Sequence, residues 1–190
     1  MSTHYTNIVL YGPTQAEVTE WCTEQKVAGY VSPTQEDVTV LYENTLAENA
    51  QHPTPLEMLL ARGATLSATL MCPALVNVVS DDHMYMYVLY VDGQMKDSYM
   101  SYTDKPPANG NARILAAIFD AHEEQARIEA ALRREIVISA TERHLEIMDA
   151  LALPPMMIDM GYAYLEEGET PHDVDDPDEL IFVDFDVSRS

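Results

Sequence analysis

The chain of 190 residues has few cysteines, few glycines and no long apolar run, and each shortage excludes a class of protein. Two cysteines, Cys22 and Cys72, are too few for a disulfide framework and suit a reducing compartment. Seven glycines leave the chain without a Gly-x-Gly-x-x-Gly fingerprint, a phosphate loop or a Gly-x-Ser-x-Gly elbow. Because no run of about 18 apolar residues occurs, the sequence predicts no membrane helix.

Basic residues are also scarce. Thirty-two acidic residues against ten basic ones give a formal net charge of −22, and only Lys26, Lys96 and Lys105 are lysines. A field of that sign repels phosphate backbones and anionic lipids, so we expect direct binding to neither nucleic acid nor membrane. It attracts basic proteins and speeds their encounter. The alternative is that the acidity serves only solubility or a saline cytoplasm.

The remaining composition is that of an ordinary globular protein. Hydrophobic residues make up 47% of the chain, which argues against wholesale disorder. A chain of this length suits one compact domain, or one domain with an appended subdomain, and needs no disulfide or metal for stability. No motif indicates a cofactor. Residues 1–5 carry neither the basic nor the apolar part of a secretory signal, so we expect a cytoplasmic location.

Apolar periodicity predicts an α+β fold with a mainly antiparallel sheet over residues 1–104. Short apolar runs bounded by turn residues predict strands at residues 7–11, 27–31, 38–42 and 75–79. Helical spacing predicts one helix over residues 15–25 and a second from residue 55 to Pro73. Each begins at a Thr-x-x-Glu capping box, at Thr14 and Thr54.

Residues 84–91 and 94–102 are predicted to form a hairpin around Asp92 and Gly93. Asp-Gly supplies the two positive-φ residues that a two-residue turn requires. Along the first strand, Tyr85, Tyr87 and Leu89 alternate with other large apolar residues, so both faces are apolar. That pattern favours a central strand covered on both sides over a strand that presents a binding face.

The second half of the chain is predicted to be helical from residue 111 to residue 153 and to pack on the sheet. A proline-rich and glycine-containing loop precedes it, and Pro154 and Pro155 end it. Residues 154–190 form an acidic tail. Alternation of Ile181, Val183, Phe185 and Val187 with more polar residues predicts a half-buried strand there, which closes the fold.

Four residues on periodic apolar faces are predicted to be buried in the core. They are Trp21, Leu59, Leu89 and Leu145. Cys22, beside Trp21, is predicted to be a small buried hydrophobe rather than a nucleophile, because only Lys26 lies near enough in sequence to lower its pKa.

No catalytic residue is predicted, but one group contains metal-ligand types. Asp81, Asp82 and His83 lie in the turn between two predicted strands, where exposed functional residues often occur. A second cluster at a recognisable spacing is missing, so a solvated turn is the favoured interpretation. The alternative is a metal-assisted hydrolase that uses these three residues together with acids of the tail.

Two further groups resemble metal sites only in part. His122 begins half of a zinc-helix pattern, but position 126 is alanine where the second histidine belongs. The loop that starts at Asp173 offers oxygen ligands, yet its sixth position is Asp178 and not the glycine of a calcium loop. His144 borders an apolar helix face and is predicted to be a core-edge histidine rather than a base.

The acidic tail is the favoured binding region. Seven residues are predicted to engage a basic protein partner: Glu166, Glu167, Glu169, Asp173, Asp175, Asp176 and Asp178. Together they act through long-range attraction rather than individual contacts. The leading hypothesis is therefore a non-enzymatic binding protein, such as a toxin inhibitor, an immunity protein or a phosphate-mimicking inhibitor of a DNA-binding protein.

Two motifs carry a resemblance to a known family. The first is Tyr87-x-Leu89-Tyr90-x-Asp92-Gly93, continued by Asp97 and Tyr99, and the second is Gly161-Tyr162-x-Tyr164-Leu165-Glu166-Glu167-Gly168-Glu169-x-Pro171. Together they resemble a family of uncharacterised acidic bacterial proteins of similar length. The resemblance implies a bacterial source and brings no activity, cofactor or site residue.

Overall fold

The computed structural model describes residues 4–44, 54–105, 107, 109–135 and 137–184. Its centre is an antiparallel sheet of seven strands in the order β6-β5-β4-β1-β3-β2-β7. The strands are β1 (Tyr5–Tyr11), β2 (Gly29–Val31), β3 (Val38–Glu43), β4 (Ala74–Ser80), β5 (Met84–Val91), β6 (Gln94–Tyr102) and β7 (Ile181–Val183). The predicted α+β class and the mainly antiparallel sheet are confirmed.

Within these described residues, six α-helices accompany the sheet. They are α1 (Gln15–Gln25), α2 (Pro55–Thr69), α3 (Ala112–Ile118), α4 (Gln125–Arg133), α5 (Ala140–Ala150) and α6 (Tyr162–Glu166). Both predicted capping boxes form: the amides of Thr14 and Thr54 each donate to the glutamate three residues on, at 2.8 Å. These bonds satisfy amides that the first helical turn leaves free.

The sheet separates two apolar cores. α1 and α2 cover one face, where Ile8, Trp21 and Leu59 belong to one buried cluster. The helices after the hairpin cover the other face, where Tyr85, Leu115 and Ile147 belong to a larger cluster. The helical segment therefore packs on the sheet as predicted, and it consists of the three helices α3, α4 and α5.

The predicted hairpin and its turn are confirmed. β5 and β6 pair up to Val91 and Gln94, which leaves a two-residue loop. Its residues Asp92 and Gly93 have φ angles of 52° and 72°. A Cβ atom on Gly93 would lie 3.0 Å from the Cβ of Ala68, so the turn also packs closely against α2.

Strand β5 is covered on both faces, as expected for a central strand. Tyr85, Tyr87 and Leu89 are fully buried on the face toward α3–α5. Met86, on the opposite face, belongs to the core under α1 and α2. The tyrosines of this strand are therefore packing residues and do not form an exposed binding face.

Three of the four predicted core residues are buried, and the prediction for Leu145 is wrong. Trp21, Leu59 and Leu89 are at most 2% exposed, whereas Leu145 is 46% exposed. The helix α5 is rotated so that Arg143, His144 and Ile147 face inward together with Met148. Residues 144, 147, 148 and 151 share one face at helical spacing, and position 145 lies beside that face.

Arg143 is fully buried because its guanidinium binds the end of the neighbouring helix. Its Nη1 donates to the carbonyl of Ala131 at 2.8 Å, and its Nη2 donates to the carbonyl of Arg134. These carbonyls belong to the last turn of α4, where a helix dipole is negative and carbonyls lack helical partners. The cation thus caps α4 from inside the core.

The predicted C-terminal strand is present as β7, which pairs with β2 at the end of the sheet. The predicted strand residues Phe185 and Val187 lie outside the described residues. Val183 is buried, but Ile181 is 37% exposed, so burial along this strand is less regular than its alternation suggests.

Candidate functional site

The acidic tail follows a folded path along the surface. Leu165, Pro171, Val174 and Val183 are buried and anchor it at intervals. Two glutamine side chains hold its backbone: Gln35 donates to the carbonyl of Asp173 and Gln15 donates to the carbonyl of Glu179, both at 2.6 Å. The tail between residues 162 and 183 therefore has a defined conformation.

All seven tail acids predicted to bind a partner are exposed. The anchors point inward and these residues do not: Glu166, Glu167, Glu169, Asp173, Asp175, Asp176 and Asp178. Two of them have local partners, because Asp176 accepts from the amide of Asp178 at 2.9 Å and Glu166 accepts from the Tyr162 hydroxyl at 3.3 Å.

Four arginines in the described part of the chain form ion pairs, and Arg133 pairs with Glu129. Arg62 pairs with Glu43, Arg127 with Glu124 and Asp149, and Arg134 with Glu142 and Glu146. None of the ion pairs between described residues includes one of the seven tail acids. The tail therefore presents negative charge that the fold does not neutralise, which is the condition for long-range attraction of a basic partner.

Three aromatic rings lie together at the edge where the tail joins the sheet. The ring of Tyr30 in β2 is 4.7 Å from that of Phe182 in β7 and 5.6 Å from that of Tyr162 in α6. Phe182 is 47% exposed, and both tyrosines are half-buried. We call this group, Tyr162, Tyr30 and Phe182, the aromatic ladder.

Asp82 belongs to the architecture of α5. Asp81 and Asp82 have φ angles of 53° in the tight β4–β5 turn. The amide of Ala140 donates to the Asp82 carbonyl at 2.9 Å, and the amide of Thr141 donates to its Oδ1 at 3.3 Å. The Asp82 carboxylate thus accepts a hydrogen bond from a free amide at the N-terminus of α5. This hydrogen bond would compete with metal binding.

His83, the third residue of the predicted metal group, also has local partners. Its Nδ1 lies 2.7 Å from the hydroxyl of Thr103, and its Nε2 lies 3.6 Å from Oδ1 of Asp104. Across the ranges that the structure describes, no three His, Cys, Asp or Glu side chains are grouped so that they could hold a metal ion. Asp82 and His83 thus have local hydrogen-bond partners, and the metal alternative for residues 81–83 stays a prediction.

The buried cysteines and His144 are core residues. Burial raises the pKa of both the Cys22 and the Cys72 thiol to about 12, so neither is a thiolate at neutral pH. His144 lies deeper than predicted: it is fully buried, and burial lowers its pKa to about 3. It packs as a neutral ring and not as a base at the surface.

The structure contains a mostly apolar cavity of about 390 Å³ that the sequence did not predict. Its wall includes Tyr5, Leu56, Leu59 and Met84, with Tyr162 and Tyr164 from the tail. Leu56 in α2 lines this cavity and is 42% exposed. The elements that meet here are distant in sequence, so no local pattern could have predicted it.

A second concave surface is acidic and also escaped sequence reasoning. Tyr11 and Phe119, with ring centroids 5.6 Å apart, lie in a cleft of about 520 Å³. Glu36, Asp120 and Glu123 line its walls and are exposed. These acids meet because the α3–α4 connection, which carries Asp120 and Glu123, approaches Glu36 in the β2–β3 connection.

Comparison with protein-family models, with curated proteins and with solved structures finds no match for this chain. The resemblance to an acidic bacterial family therefore stays a prediction. In the described ranges, no helix has both the length and the apolar character needed to span a bilayer.

Proposed function

We propose that this chain is a non-enzymatic protein-binding module whose acidic tail engages a basic protein partner, as an inhibitor or immunity protein does. The main support is that the tail holds seven exposed acids in place through buried anchor residues. No base among the described residues forms an ion pair with these acids. A pre-ordered acidic surface loses little conformational entropy on binding.

A metal-assisted hydrolase is the less favoured function. It would need Asp82 and His83 as ligands, but Asp82 caps α5 and His83 contacts Thr103 and Asp104. The binding proposal does not require any residue to give up a hydrogen bond that it makes in the fold.

The proposal is tested with labelled oligolysine and oligoarginine peptides of equal length, whose binding is followed by fluorescence anisotropy over a salt series at neutral pH. One variant carries Gln or Asn at the seven tail acids. If each exposed charge contributes about 0.3 kcal/mol, the variant should bind about 30-fold more weakly than the wild type at low salt. Its salt dependence should also be smaller.

A matched control neutralises seven exposed acids outside the tail: Glu20, Glu24, Glu36, Asp92, Asp120, Glu123 and Glu135. It has the same net charge as the tail variant and also neutralises three of the four acids that line the cleft. We expect it to keep most of the wild-type affinity. Equal weakening in the two variants would mean that only net charge matters, and the tail proposal would then be abandoned.

A further inference from the structure

The aromatic ladder lies at the sheet edge that the acidic tail itself builds. β7 is the outermost strand, and Phe182 stands directly opposite Tyr30 in the β2–β7 pairing. α6 brings Tyr162 to the other side of Tyr30. The three rings thus come from separate parts of the chain and form a half-exposed aromatic surface.

Carboxylates border this aromatic surface. Glu166 accepts a hydrogen bond from the hydroxyl of Tyr162 at 3.3 Å, and exposed Asp184 follows Phe182 by two residues. An exposed ring beside uncompensated carboxylates is a poor surface for an anionic or neutral partner. It is complementary to a cation that has a flat face.

Arginine fits this combination better than lysine does. A guanidinium is planar, stacks on an aromatic face and donates to a carboxylate in the same pose, whereas an ammonium is a compact and strongly hydrated charge. The chain already contains one such contact, since the guanidinium carbon of Arg62 lies 5.8 Å from the ring centroid of Trp21.

We infer that the aromatic ladder is the anchoring surface for arginine side chains of the basic partner, with Phe182 as the ring on which a guanidinium stacks. This inference rests on the proposed function and adds specificity to it. The tail acids attract any basic protein from a distance, and the ladder selects arginine over lysine at contact.

The test uses the oligoarginine and oligolysine peptides on the whole protein. The wild type should bind oligoarginine about 5- to 10-fold more tightly than oligolysine at the same salt. The substitution Phe182→Leu keeps an apolar side chain but removes the ring, so it should reduce this preference to less than about 2-fold. Tyr30→Leu should reduce it in the same direction.

Ile181→Ala is the matched control. Ile181 lies in the same strand and is also partly exposed, at 37%, but belongs to the opposite face of β7. The control should keep the full arginine preference. Unfolding curves of all three variants should confirm that each is folded. Phe182 is partly exposed, so we expect its replacement to be tolerated.

The two proposals fail in different ways. If both peptides bind through the tail acids but the wild type shows no arginine preference, or Phe182→Leu retains it, the ladder inference is wrong and the proposed function stands. If neither peptide binds in a tail-dependent manner, both are wrong. The tail-neutralised variant should lose affinity for both peptides, and its arginine preference should also fall because it lacks the Glu166 carboxylate beside the ladder.

Discussion

His144 should make the stability of this protein fall in mild acid. The imidazole is fully buried, its Nδ1 lies 2.9 Å from the Tyr5 hydroxyl, and its ring stacks on Tyr85 at 4.7 Å. Within the described residues its Nε2 has no hydrogen-bond partner. A proton added to this ring would therefore place a positive charge in the core, where burial disfavours the charged form.

The size of the stability loss follows from the pKa values of His144 in the unfolded and the folded chain. Burial lowers the pKa of His144 from 6.5 to about 3, so the unfolded chain takes up this proton first as the pH falls. The stability that neutral His144 contributes is complete above pH 6.5 and is lost progressively toward pH 3. At 1.36 kcal/mol per pKa unit, the loss relative to neutral pH is about 2 kcal/mol at pH 5.

Urea unfolding at several pH values between 4.5 and 8 measures the effect, with His144→Phe as the test variant. The phenylalanine keeps a ring against Tyr85 but cannot bind the Tyr5 hydroxyl, so the variant should be less stable at neutral pH by about 1 kcal/mol. Because it has nothing to protonate at this position, its deficit should shrink or reverse by pH 5.

The wild type and His144→Phe contain the same carboxylates. The difference between their free energies of unfolding at each pH therefore cancels the contribution of those carboxylates. His122→Gln is the control, because His122 is 66% exposed and its loss should leave the curve parallel to that of the wild type. If the wild type and His144→Phe show parallel pH dependence, the argument that a buried neutral histidine shapes acid stability is refuted.

Three further predictions concern the turn, the core and nucleic acid. Gly93→Val should lower the free energy of unfolding by roughly 1–3 kcal/mol in urea titrations, because φ is 72° and Ala68 is close; an unchanged midpoint would contradict this. Leu59→Ala should cost about 2–5 kcal/mol and exposed Leu145→Ala less than about 1, and equal costs would show that the faces are misassigned. Gel-shift assays at moderate salt should detect no DNA or RNA binding, and sub-micromolar affinity would disprove the electrostatic argument.

The local elements of this protein were predictable because local residues determine them. Thr14 and Thr54 with their glutamates specify helix starts, and Asp92-Gly93 specifies the turn, since each device acts within four residues. The alternation that produced the apolar faces of β5 also acts locally. The charge and exposure of the tail acids could likewise be anticipated from composition.

The wrong prediction concerns a residue whose burial depends on a helix elsewhere in the sequence. Leu145 is on the apolar side of an isolated helix, but the docking of α5 beside α4 turns Arg143 and His144 inward instead. The sequence carries no signal for this, because a buried arginine needs hydrogen-bond acceptors, and here the carbonyls at the end of another helix supply them. The contact of Asp82 with the start of α5 likewise joins residues 59 positions apart, so no local pattern could indicate it.

Sequence by itself thus determined the elements, the antiparallel hairpin and the acidic character of the tail, since these depend on neighbouring residues or on composition. Only the tertiary structure decided that β7 joins β2, that Tyr30, Tyr162 and Phe182 meet, and that a cavity forms beside α2. Those features join residues more than 100 positions apart. Their geometry follows from how two apolar cores pack on one sheet, which no local pattern encodes.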